Sequence, residues 1–250
     1  MQFFDSHAHY NDEKFKNDEN ILEDIYKDKV TRLVCAGYNF LSSVKAIELA
    51  KNYDFVYATC GISPNDVEDV KNLNKLEELL KYKKVVAIGE IGLDYYWNKE
   101  NKELQKELFI KQIELANKYN LPIVIHTRDA SIDTIEILKT YECKRRGIFH
   151  CCPLNQELIK AGINLGYYIS FSGNITFKNA KADPCIDLVP LDKILIETDS
   201  PYLAPEPYRG TRNDSRKVKL VAEKIAVSKN IPLTEIAKLT YQNANKIFNI

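Results

Sequence analysis

No stretch of the 250 residues stays apolar for anything near the roughly 20 that a bilayer requires, and no basic-then-apolar leader opens the chain. The expectation is a cytoplasmic protein with no membrane partner. Neither sign of charge is in excess, because 35 Lys and Arg balance 35 Asp and Glu. No global field draws it to nucleic acid or anionic lipid, so any nucleic-acid contact rests on a local patch. Cys-x-x-Cys is absent, and six cysteines in so long a chain are no disulfide scaffold. Cys35 and Cys60 fall in strand-like runs, Cys143 and Cys185 stand alone, and Cys151-Cys152 follows His150 without a ligand spacing. All six are expected as reduced thiols. Gly-x-Gly-x-x-Gly and Walker-type loops are missing too, which argues against an open doubly wound sheet. No linker, low-complexity tract or repeat divides the chain, so one domain over 1–250 is expected.

What remains is an ordinary globular composition, 45% hydrophobic and 28% charged, able to bury a large core. Apolar runs recur at 2–4, 32–36, 55–60, 85–88, 123–126, 148–150, 167–171 and 193–197. Between and after them, helical periodicity covers 20–29, 42–52, 73–80, 101–119, 131–141, 156–161, 216–228 and 233–241. Eight strands, most followed by a helix, predict an α/β fold of the (β/α)8 TIM-barrel type, and the length suits one.

Histidine is scarce, with only His7, His9, His126 and His150 in the chain. Alone, His7-Ala8-His9 is as readily a pair of loop histidines as a metal half-site. Yet all four stand at the ends of strand-like runs, a preference that structural histidines have no reason to share. A barrel gathers those ends on one face. Glu90 interrupts an apolar segment, where a charge needs a partner, and Asp199 follows the last strand. Asp199 alone reads more readily as a turn or helix-cap residue before Pro201. Together, four imidazoles and two carboxylates are too many for one tetrahedral ion with an open position. They suit two divalent ions, Mg²⁺, Mn²⁺ or Zn²⁺, bridged by Glu90. Asp199 can bind a metal and also take a proton from the attacking water, and Glu197 is expected behind these ligands.

Six segments resemble the TatD family in family order: 5–9 (DSHAH), 89–95 (GEIGLDY), 126–128 (HTR), 149–151 (FHC), 172–178 (SGNITFK) and 197–202 (ETDSPY). The resemblance spans essentially the whole chain. It implies an amidohydrolase-like barrel with a divalent-metal centre that trims DNA from a 3′ end. It also implies that His7, His9, Glu90, His126, His150 and Asp199 are the metal ligands. The chain departs from the family pattern in three places: Ser63 and Asn65 stand where histidines are usual, Cys152-Pro153-Leu154-Asn155 where a Ser/Thr-Gly pair is common, and Ser215 where a proline is usual.

For substrate, Arg128, Arg209 and Arg212 are expected on rim loops, where guanidinium forks suit phosphate. Tyr95, Tyr96, Trp97, Tyr202 and Tyr208 supply aromatic faces that can stack unpaired bases. Ordinary loop packing is the competing account for about half of these residues. A single-stranded DNA end suits a neutral protein better than long duplex does. A small-molecule amidohydrolase or lactonase is the alternative, and a metal-stabilised binding protein without turnover is a third. Nothing in the sequence points to a protein partner.

Overall fold

Eight apolar runs become eight parallel strands, β1 (Phe3–Ala8), β2 (Val30–Ala36), β3 (Val56–Cys60), β4 (Val85–Asp94), β5 (Ile123–Arg128), β6 (Gly147–Phe149), β7 (Tyr168–Phe171) and β8 (Ile194–Ile196), each paired with its sequence neighbours. The coordinates are a computed structural model, and the structure describes residues 1–97 and 99–250. Ser6 Oγ, on β1, donates to the carbonyl of Ile196 on β8 at 2.9 Å. Past the strand ends, Asp199 N donates to His7 O (3.0 Å) and His9 N to Ser200 O (2.6 Å). These bonds bring the first strand against the last, and the sheet curls into the expected barrel.

Among the described residues the helices are α1 (Ile21–Lys27), α2 (Phe40–Asn52), α3 (Leu73–Leu79), α4 (Lys102–Tyr119), α5 (Ser131–Thr140), α6 (Gln156–Asn164), α7 (Asp183–Leu188), α8 (Val218–Lys229) and α9 (Leu233–Phe248). Their buried faces and the outer faces of the strands form one large apolar layer. A second cluster fills the barrel itself: Phe4, Val34, Val86, Val124, Ile148, Tyr168 and Leu195 meet Ala244, Ile247 and Phe248 of α9. The last turn of α9 thus stoppers the end opposite the functional face, with Phe248 stacked on Phe4 at 6.0 Å. None of the described helices is long and apolar enough to cross a membrane.

The differences from the sequence reading have physical causes. β1 runs on to Ala8 and β4 to Asp94, well beyond their apolar cores at 2–4 and 85–88. Their polar residues are buried rather than exposed, so hydrophobicity alone ends both strands too early. Pairing is irregular between Asp5 and Ala8 and again between Ile88 and Ile91. Such irregularities re-aim side chains, and these two flank His7 and Glu90. Helix α4 buries two glutamines as fasteners. Gln112 exchanges bonds with the backbone of Ile62 (2.8 and 2.9 Å), and Gln105 does the same with Asp94 (2.8 and 3.0 Å). Gly92, at φ +134°, lies so close to β5 that a Cβ would stand 2.0 Å from the carbonyl of His126. Only glycine lets β4 approach there.

Candidate metal centre

His7, His9, Glu90, His126, His150 and Asp199 converge at the carboxyl ends of the strands, as the expectation placed them. Glu90 lies at the middle. One oxygen, Oε1, is 3.0 Å from His126 Nδ1 and 3.4 Å from His150 Nε2. The other, Oε2, is 3.5 Å from both His7 Nε2 and His9 Nε2. Asp199 Oδ1 closes the second group at 3.3 Å from His9 Nε2 and 3.7 Å from His7 Nε2.

The chemistry of this donor set fits divalent metal. His7 Nε2 faces His9 Nε2 at 3.1 Å, and His126 Nδ1 faces His150 Nε2 at 3.2 Å. Each facing pair has room for one proton between two lone pairs, an arrangement that a cation resolves for both. Donors 2.0–2.2 Å from a tetrahedral ion stand roughly 3.3–3.6 Å from one another, close to the separations seen here. Three groups have ligand atoms mutually close enough to hold an ion: His7 with His9 and Glu90, Glu90 with His126 and His150, and His7 with His150 and Asp199. No cysteine belongs to these groups. Cys151 Sγ instead contacts Ser172 Oγ at 3.0 Å, and all six thiols are free.

The electrostatics follow from burial and proximity. Burial raises the Glu90 carboxyl, but the charge of His150 and the bonds from His126, His150 and His7 outweigh it and hold it well below 4.5. Burial lowers His150, yet the Glu90 and Glu197 carboxylates outweigh it and hold the imidazole well above 6.5. His7 is pushed down, by burial first and then by the charge on His150. Asp199 is raised by burial, but its bond from His9 and the charges on His9 and His150 bring it below 3.8. It is ionised at neutral pH. Its backbone sits at φ +55°, an uncommon left-handed conformation for a non-glycine residue.

Partners behind the ligands are carboxylates or carbonyls. Glu197, expected in that position, lies 3.4 Å from His150 Nδ1 and accepts the Cys151 N–H at 2.6 Å. His9 Nδ1 lies 3.2 Å from the carbonyl of Ala36. His126 Nε2 lies 3.0 Å from Asp94 Oδ2, a role the sequence reading did not give to Asp94. The signal was present, since Asp94 is a second charge in the apolar segment that carries Glu90.

Asp5 stands behind the ligands as well. Fully buried, it accepts bonds from Thr198 Oγ1 and Ser215 Oγ (both 2.5 Å), Thr198 N (3.0 Å) and His7 N (3.3 Å). Burial pushes its carboxyl up to about 7, against the pull of the Ser215 and Thr198 bonds. The Ser215 departure therefore has a structural use, because its N–H also donates to the Tyr10 hydroxyl at 2.7 Å. A proline has no such N–H. Asp5→Ala strands buried donors, each costing about 1–3 kcal/mol, so unfolding should become easier by about 3 kcal/mol or more. Thermal unfolding should shift down by about 6–12 °C. A shift indistinguishable from zero would show that the network carries no stability.

A cavity of about 690 Å³ opens above the cluster, lined in part by Tyr38, Ser63, Asn65, Trp97, Arg128 and Tyr202. Arg128 stacks over the exposed rings of Tyr96 (3.7 Å) and Trp97 (5.4 Å). Tyr202 reaches the mouth with its hydroxyl on Asp12 at 2.9 Å. Other expected contacts fall elsewhere. Tyr95 is buried and donates its hydroxyl to Asp133 at 2.6 Å, so it packs the fold instead of facing substrate. Arg212 is engaged by Asp18 and the carbonyl of Lys14. Arg209 lies over the Phe177 ring at 4.4 Å, outside the lining of this cavity.

A parallel barrel with imidazoles and carboxylates gathered at its strand ends has the architecture of a metal-dependent hydrolase. Comparison with known proteins agrees: residues 4–249 match the family described as TatD related DNase, and the chain belongs to the TatD family. It is 44% identical to the uncharacterised metal-dependent hydrolase YabD of Bacillus subtilis, over 99% of both chains. It is 36% identical to the uncharacterised metal-dependent hydrolase YcfH of Escherichia coli K12, over 100% of this chain and 97% of that one. Among solved structures, YjjV, a TatD homologue from Escherichia coli K12, matches with a TM-score of 0.95 at 29% identity, over 99% of this chain and 98% of that one.

Proposed function

We propose that this hydrolase cleaves DNA phosphodiester bonds and removes nucleotides from free 3′ ends of single strands. The observation that carries the reading is Glu90, one carboxylate reaching both histidine pairs at the floor of a cavity with a cationic, aromatic rim. His7, His9, Glu90 and Asp199 would hold one divalent ion, and Glu90, His126 and His150 a second. When bound, such ions supply Lewis-acid stabilisation of charge developing on phosphoryl oxygens. The remaining work falls to the chain. Asp199, ionised and lining the cavity beside His9, accepts a proton from the attacking water. Arg128 offers its guanidinium to a neighbouring phosphate, and its stacking on Tyr96 limits the freedom lost on binding. Trp97, 68% exposed, offers a ring face to an unpaired base. A cavity of about 690 Å³ has the size of small-ligand pockets, so it admits a strand end and not a duplex. The zero net charge supplies no general grip on duplex either.

The test is to incubate metal-stripped protein with 5′-labelled single-stranded DNA, then to add Mg²⁺, Mn²⁺ or Zn²⁺ in turn. Without an ion the substrate should stay intact while the fold persists, because the barrel core is apolar. With one, products should shorten stepwise from the 3′ end, and blunt duplex should react more slowly. Cutting that ignores strand ends would overturn the exonuclease reading. Hydrolysis of lactones or cyclic amides with DNA left intact would favour the small-molecule alternative. Failure of the intact chain to bind any divalent ion would end the metal-centre reading.

A further inference from the structure

Asp94 ends β4 beneath the rim, wholly buried. Its two oxygens are divided between two tasks. Oδ1 accepts the N–H groups of Tyr96 (2.9 Å) and Trp97 (3.1 Å), which fixes the turn that carries the exposed aromatics. Oδ2 faces His126 Nε2 at 3.0 Å and accepts a longer bond from Asn65 Nδ2 at 3.4 Å. Its backbone is pinned to Gln105 of α4, so the carboxylate cannot follow the ring if the ring turns.

His126 differs from its three companions in which nitrogen it turns inward. His7, His9 and His150 approach Glu90 through Nε2, whereas His126 approaches through Nδ1. A neutral imidazole carries its proton on one nitrogen or the other, and only the bare nitrogen can ligate. Nδ1 faces the Glu90 carboxylate at the same 3.0 Å, so an ion ligated there needs the proton on the other nitrogen, where Asp94, which accepts and does not donate, receives it and leaves the Nδ1 lone pair for the cluster. We propose that Asp94 is a positioning residue that holds His126 in the Nε2-protonated form with Nδ1 turned toward Glu90, and thereby sets the metal affinity of that side of the centre.

The proposal rests on reading the cluster as a metal site, and one substitution separates the two tasks of Asp94. In Asp94→Asn, the amide oxygen can still accept the Tyr96 and Trp97 N–H groups. The amide nitrogen then presents N–H to His126 Nε2 and drives the proton to Nδ1, the nitrogen that must be bare. Metal-stripped wild type, Asp94→Asn, Asp94→Glu and Glu90→Gln are titrated with Zn²⁺ and with Mn²⁺ against a chromophoric chelator. Affinity should fall about 10–100-fold in Asp94→Asn, as for other partners of metal-bound histidines, and recover in part in Asp94→Glu.

If Glu90→Gln loses metal while Asp94→Asn keeps wild-type affinity, the Asp94 proposal falls and the metal site stands. If neither substitution changes affinity, the metal-site reading falls first. Should Asp94→Asn fail to fold, imidazole nitrogen shifts of Zn²⁺-loaded wild type decide the matter. A protonated Nε2 and an unprotonated Nδ1 at His126 support the proposal, and the reverse pattern overturns it.

Discussion

Glu90→Gln should strip the centre of metal and lower hydrolysis about 10³-fold or more. The wild-type carboxylate is 8% exposed and lies within 3.5 Å of nitrogens from all four histidines. Glutamine keeps the size and loses the charge. Its amide can offer an oxygen to one histidine pair only, and the other pair then meets an N–H that occupies a lone pair. Lewis-acid stabilisation in such sites is worth several kcal/mol, and each 1.36 kcal/mol is tenfold in rate, which sets the expected loss. A second readout needs no turnover. An ion that binds only the folded protein raises its unfolding temperature, so wild type should be stabilised by added Mn²⁺ or Zn²⁺ and the variant should not. Equal metal content and equal thermal shifts in the two proteins would show that Glu90 is not the shared ligand.

How far such a centre could be read from residues alone differs from one side chain to the next. His126 and His150 were legible because an apolar run ending in a rare histidine is a strand that delivers it. The convergence of Glu90 with them was legible once eight strands implied a barrel. Nothing local revealed that pairing becomes irregular beside His7 and Glu90, since such a shift depends on the neighbouring strand. Tyr95, Tyr96 and Trp97 look alike in sequence, and only the partner Asp133, brought in from α5, shows which of them turns inward. Arg212 likewise reads as a free cation until the fold sets Asp18 beside it. Helix α7 escaped notice because it is short, and α9 extends past 241 to Phe248 because polar Asn243 is buried there. The Asn243 amide donates to the carbonyls of Leu191 (2.8 Å) and Ile194 (2.9 Å), which satisfies it in a place where periodicity alone expects an end.

Asp199→Asn should lower kcat by about 10²–10⁴-fold while single-stranded DNA still binds. The side chain lies beside His9 and His7 (3.3 and 3.7 Å) and lines the cavity, so it reaches both the cluster and an incoming water. Two roles are open to it there, ligand and proton acceptor, and the substitution separates them. Asparagine retains an oxygen that can still ligate, though more weakly, and loses the basic carboxylate. If Asp199 only holds metal, raising the ion concentration to saturation should restore turnover. If it accepts the proton, kcat should stay depressed at saturating Mn²⁺, where binding of the ion is no longer limiting. DNA affinity should change little, because Arg128 and the Tyr96–Trp97 pair are untouched. Stability should change little as well, since a carboxylate that lines the cavity takes no part in the apolar core. The decisive measurement is kcat for wild type and Asp199→Asn across a full Mn²⁺ titration, with DNA binding measured in the same buffer. Near-normal turnover at saturating ion would remove Asp199 from the role of base and leave it a ligand.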